Sequence, residues 1–78
     1  MTHTHYAVAV LDGGGLSRGM YSRSAAYDTP ELAAELGPRD PHISRGKLAL
    51  VRVETYDAVS EDGDPVRRLL RETILRVL

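Results

Sequence analysis

The chain has 78 residues, 27% of them charged, with ten basic against eleven acidic side chains, a net charge of −1 and no cysteine. This length fills one domain, residues 1–78, which buries only roughly 60% of the surface its unfolded chain exposes, so oligomerisation is a natural source of added stability. The absent thiols exclude a disulfide-stapled scaffold and thiolate metal sites, and the even charge balance excludes a global basic field for nucleic acid.

The basic residues are nine arginines and one lysine, and Asn, Gln, Phe, Trp and Cys do not occur. Such a bias follows from GC-rich coding and points to a high-GC bacterium or a phage that infects one. No apolar run approaches the roughly 18 residues of a membrane span, and the start Met-Thr-His-Thr-His lacks the regions of a signal peptide. A cytoplasmic protein with no membrane contact is the expectation.

From Thr4 to Leu11, Tyr6, Val8 and Val10 alternate with His5, Ala7, Ala9 and Leu11. This period of two predicts a strand with apolar residues on both faces. Asp12-Gly13-Gly14-Gly15 then supplies positive φ values for a hairpin loop longer than two residues. A second strand, antiparallel to the first, is expected over Arg18 to Tyr27.

Asp28-Thr29-Pro30-Glu31 reads as a helix start, with a polar cap, Pro in the first turn and an acidic residue near the positive end of the dipole. Leu32, Ala33 and Leu36 form the expected inner face, and Gly37-Pro38 ends the helix after about two turns. Arg39 to Gly46 reads as an exposed loop. Lys47 to Tyr56 is the third expected strand, and Leu48-Ala49-Leu50-Val51 marks it as interior to the sheet.

Ser60-Glu61-Asp62-Gly63 looks like a turn into a last helix, with Asp64 as its cap and Pro65 in its first turn. Val66, Leu69, Leu70, Ile74, Val77 and Leu78 recur at helical spacing, while Arg67, Arg68, Arg71 and Arg76 fall elsewhere. The fold class expected is therefore α+β: a small two-layer sandwich in the order β-β-α-β-α. A three-stranded, largely antiparallel sheet carries the short helix and the C-terminal amphipathic helix on one face. Double-sided strands then leave apolar surface that a homodimer would cover.

Among candidate sites, Asp12 to Gly19 lacks the Lys-Ser/Thr end of a phosphate loop and the spacing of a dinucleotide fingerprint. His3 and His5 lie two apart in an extended segment without further ligands, and a catalytic reading of His42 would need Ser17, Ser22 or Ser44 brought to it in a geometry that spacing alone does not supply. Asp57, Glu61, Asp62 and Asp64 do not reproduce the calcium-loop spacing. The expectation is a chain without catalytic residues, metal or cofactor.

The leading reading is a non-enzymatic interaction or regulatory protein that binds itself and a further protein partner. Leu48, Leu50 and Leu75 are its candidate contact residues. The alternative is a small nucleic-acid-binding regulator using Arg39, Arg45, Arg67, Arg68 and Arg71. A pair between Arg68 and Glu72 on the last helix is the competing explanation for that charge.

Overall fold

The computed structural model describes residues 1–78 and contains one antiparallel sheet with a single short helix. Strand β1 covers Thr2–Asp12, β2 Gly15–Leu16, β3 Leu48–Val59 and β4 Pro65–Val77, in the spatial order β2-β1-β3-β4. Helix α1 covers Pro30–Leu36 and runs into a 3₁₀ turn at Gly37–Arg39. The expected three-stranded sheet with two helices is thus corrected to four strands and one helix, and the C-terminal segment is strand β4.

The first strand and the short helix form where the local signals place them. β1 pairs with β3 from Thr2↔Tyr56 to Val10↔Leu48. Thr29 caps α1 by accepting the Leu32 amide on its hydroxyl at 3.1 Å, and Pro30 occupies the first turn. The inner face of α1 is narrower than expected: Ala33 is buried, whereas Leu32 and Leu36 are exposed. Gly37 explains the close approach. A Cβ there would stand 2.5 Å from Cγ2 of the fully buried Val8, so the chain comes down onto β1 only because position 37 has no side chain.

The β1–β2 hairpin is tighter than expected. Gly13 and Gly14, with φ of +61° and +87°, make a two-residue turn between Asp12 and Gly15 whose twist matches the flanking strands. β2 itself stops at Leu16, because the chain beyond it meets β1 only at separated points. The bridges Ala9↔Arg23 and Tyr6↔Tyr27 are the paired remnants of the strand expected over Arg18 to Tyr27. They still occupy the outer edge of β1, with Val10 and Ser24 amides donating to Ser22 and Val8 carbonyls.

Two sides of the sheet differ in chemistry. One side is covered by α1, with Val8 and Leu50 beneath the helix region. The other gathers Ala7, Ala9, Ala49, Val51 and Val53, flanked by Leu11 and Leu16. Glu72 of β4 and Arg23 beside β1 meet across this second side at 2.7 Å. On a flat sheet their backbones would lie roughly 19 Å apart, three strand spacings across and four residues along, so the sheet curls and this side is the concave one. The alanines at its centre leave room for the curl.

The core is small. No residue larger than valine is fully buried, Val8 and Val51 being the largest. The radius of gyration is 13.1 Å, against about 11.5 Å for a compact domain of this length.

Candidate functional site

β4 is joined to β3 by a tight turn. The Ser60 amide donates to the Asp64 carbonyl, the Gly63 amide to the Ser60 carbonyl, and the Asp64 amide to the Ser60 hydroxyl. Gly63 takes φ of +85°, which a side chain would resist. Asp64 therefore closes a hairpin instead of capping a helix. Pro65 starts an edge strand, a place where a missing amide donor is tolerated.

The register explains why this strand carries a helical spacing. β3 and β4 pair from Val59↔Pro65 to Ala49↔Val77, with bulges between Glu54 and Thr55 and between Leu50 and Val51. Leu70 is the extra residue of the first bulge and Leu75 of the second. Each bulge sets two residues of β4 against one of β3, so Leu69 and Leu70 share the side of Thr55, and Ile74 and Leu75 share that of Val51. Val77 joins them opposite Ala49. Bulges five residues apart thus convert strand alternation into runs that imitate i, i+3, i+4.

The result is a segregated strand. Leu69, Ile74 and Val77 lie on the concave side by register, with the bulge residues Leu70 and Leu75 beside Leu69 and Ile74, while Leu78 beyond the strand lies across from Leu48, its amide donating to the Leu48 carbonyl at 2.8 Å. All six are between 40% and 51% exposed. Arg68, Arg71 and Arg76 fall on the opposite side with Thr73, facing Tyr56, Glu54, Leu50 and Arg52 of β3. The strip continues into a cavity of about 460 Å³ lined by Leu11, Gly13, Gly14, Lys47, Ile74 and Val77.

Two charges interrupt the strip, and both are paired. The Glu72 side chain is only 7% exposed and accepts from Arg23 Nε at 2.7 Å, Arg23 Nη2 at 3.0 Å and Arg18 Nη1 at 2.6 Å. The Arg23 hydrogen bond, helped by Arg18, holds the Glu72 carboxyl below the usual carboxylate range against the opposing effect of burial. Arg23 also donates to the carbonyls of Ser17 and Ser22, so one guanidinium ties the segment after β2 to β4. At the other end, Arg67 lies 3.8 Å from Asp57. Asp57 is held low by a hydrogen bond from His3, whose Nε2 lies 2.9 Å from Oδ1.

The residues singled out from sequence scatter across this frame. Leu75 stands on the strip, Leu48 is half-buried beside Leu78, and Leu50 is only 4% exposed on the helix side. Arg68 and Arg71 share the helix side of the sheet, whereas Arg67 lies on the concave side. Arg39 ends the 3₁₀ turn and Arg45 sits in the following loop, both exposed and away from β4. The expected pair of Arg68 with Glu72 is replaced: these residues occupy opposite sides of β4, Glu72 binds Arg18 and Arg23, and Arg71 binds Glu54 at 3.1 Å.

His42 lies beside Tyr21, Pro41, Ile43 and Ser44, and its ring hydrogen-bonds no serine. No three histidine and carboxylate side chains converge as a metal-binding group. The sequence reading missed Leu69, Leu70, Ile74, Val77 and Leu78 as exposed surface. The doublets Leu69-Leu70 and Ile74-Leu75, set among charges, carry the signal of a twice-bulged strand.

No family model, curated protein or solved structure matches the chain. No helix is long and apolar enough to cross a membrane.

Proposed function

We propose that the chain is a non-enzymatic interaction protein whose contact surface is the concave apolar side of β4. The observation that carries this reading is the strip from Leu69 to Val77, five large apolar residues near half exposure on one side of one strand. Exposed apolar side chains scattered singly are ordinary, but a contiguous strip flanked by polar residues is the composition of an interface centre. The only charges on it, Glu72 and Arg67, already have partners, so covering it strands no ion. Binding of this kind regulates by occluding the partner's own surface.

A photocrosslinking side chain placed at position 70 tests the reading in cells. It is expected to give covalent protein adducts, whereas the same group at position 45, in the loop remote from β4, gives none. Equal yields at both positions would contradict the reading.

A second reading, a small nucleic-acid-binding regulator, draws on the opposite side of the sheet, where Arg52, Arg68, Arg71 and Arg76 share a surface with the exposed Tyr56. Glu54 offsets two of these charges, through Arg71 at 3.1 Å and Arg52 at 3.6 Å. Fluorescence anisotropy with a labelled single-stranded oligonucleotide distinguishes it. Binding that falls steeply with salt and weakens in Arg68→Ala favours the nucleic-acid reading, and salt-independent absence of binding removes it.

A further inference from the structure

We propose that the occupant of the β4 strip is a second copy of this chain, seated about a twofold axis so that the two strips pack against each other side chain to side chain. The proposal rests on the interaction-surface reading and names its partner.

Area is the first argument. The chain exposes 5367 Å², whereas a folded monomer of its 8.6 kDa mass exposes about 4,700 Å². The excess, roughly 650 Å², approaches the ~800 Å² that each partner contributes to a stable interface. A core whose largest fully buried residues are valines has little reserve for leaving such surface in water. The strip therefore needs a constant cover, and a second copy is present wherever the first is made.

Charge selects the side that faces the twofold. On the helix side, two copies brought together would set Arg68, Arg71 and Arg76 against the same residues of the partner copy. On the concave side the apolar residues of the strip carry no charge and Glu72 between them is already paired with Arg18 and Arg23, so the two strips meet apolar against apolar.

Backbone geometry selects side-chain packing over a shared ladder. The free edge of β4 begins at Pro65, which has no amide, and its two bulges interrupt the regular row of donors and acceptors within thirteen residues. These are the devices that blunt an edge against strand addition. They leave the concave side untouched, and they place Leu70 and Leu75 on it.

Sedimentation equilibrium on the full chain, with binding of an apolar fluorescent dye measured in parallel, tests the proposal. Wild type is expected at twice 8.6 kDa at both low and high salt. Leu70→Arg and Leu75→Arg are each expected to weaken association at least about tenfold, a loss of one buried anchor. Arg68→Ala on the other side leaves the mass unchanged. Circular dichroism accompanies each variant, and should an arginine variant unfold, Leu70→Ser and Leu75→Ser take its place with the same direction of effect.

A wild-type monomer across the concentration range overturns the proposal. If that monomer binds the dye and Leu70→Ser abolishes the signal, the strip remains an interaction surface for a different protein. If it binds no dye, the interaction-surface reading falls as well. A dimer that survives both β4 variants but separates in Arg68→Ala overturns the proposal in favour of the opposite side.

Discussion

β3 and β4 are neighbouring strands of 12 and 13 residues with similar runs of leucine and valine, yet they meet opposite fates. β3 is hydrogen-bonded along both edges, and Ala49, Leu50, Val51, Val53 and Thr55 are buried. β4 is bonded along one edge, and none of its residues is buried. The difference shows that position in the sheet sets burial here. The same apolar chemistry makes core in one strand and exposed surface in the next.

The pair Val51 and Ile74, opposite each other across the two strands, offers the largest test of that contrast. Val51→Ala removes packing from a fully buried site and is expected to cost about 2–3 kcal/mol in urea unfolding, with the same loss at every protein concentration. Ile74→Ala is expected to cost less, and its loss should shrink on dilution towards the value of the isolated monomer, because in the proposed dimer part of the cover over Ile74 is supplied by a second chain.

Next in size is the tie between the two regions. Glu72→Gln removes the charge that Arg18 and Arg23 share and is expected to cost about 1–3 kcal/mol. Its pH dependence has a definite sign. The folded Glu72 carboxyl is held below its unfolded value of about 4.3, so its contribution is complete above that value and is lost as pH falls through the lower folded one. The gap in urea midpoint between wild type and Glu72→Gln should therefore close on acidification below about pH 4.

Smaller effects mark the borders of the covered region. Thr29→Ala deletes the α1 cap and should cost about 1 kcal/mol by thermal unfolding. Thr55→Val should be neutral or stabilising by up to about 1 kcal/mol, because the buried Thr55 hydroxyl has no hydrogen-bond partner in the fold. Arg68→Ala, on the exposed helix side of β4, should change stability by less than about 0.5 kcal/mol.

The parts of the fold legible in the sequence are those in which a local signal and the tertiary fold agree. The alternation from Tyr6 to Val10 marks β1, Thr29-Pro30 and Gly37 bracket α1, and the two-sided apolar run at Leu48 to Val51 marks an interior strand. β4 is misread for a physical reason. Two bulges add one residue each, at Leu70 and Leu75, and shift the alternation into a helical period, while Asp64-Pro65 doubles as a cap signal and as the end of a hairpin. Asp62-Gly63 before it is the turn chemistry that favours the hairpin.

The candidate site divides in the same way. Leu75 stands out because an apolar residue among arginines is visible in one dimension, and the segregation of Arg68, Arg71 and Arg76, though not of Arg67, from the leucines survives the change from helix to strand. Leu50 cannot be separated from surface residues without knowing which side α1 covers. Glu72 meets Arg23 across 49 residues of chain and three strand positions, a contact that no local pattern announces.

Paramagnetic relaxation of methyl signals by a soluble probe tests the central claim most directly, since it compares the two strands within one sample. In the native protein the methyls of Leu70, Ile74 and Leu75 are predicted to be shielded nearly as well as those of Val51, while the methyl of Met20, 80% exposed, broadens strongly. Broadening of the β4 methyls to the extent seen for Met20 would contradict the claim that this strip is a covered interface.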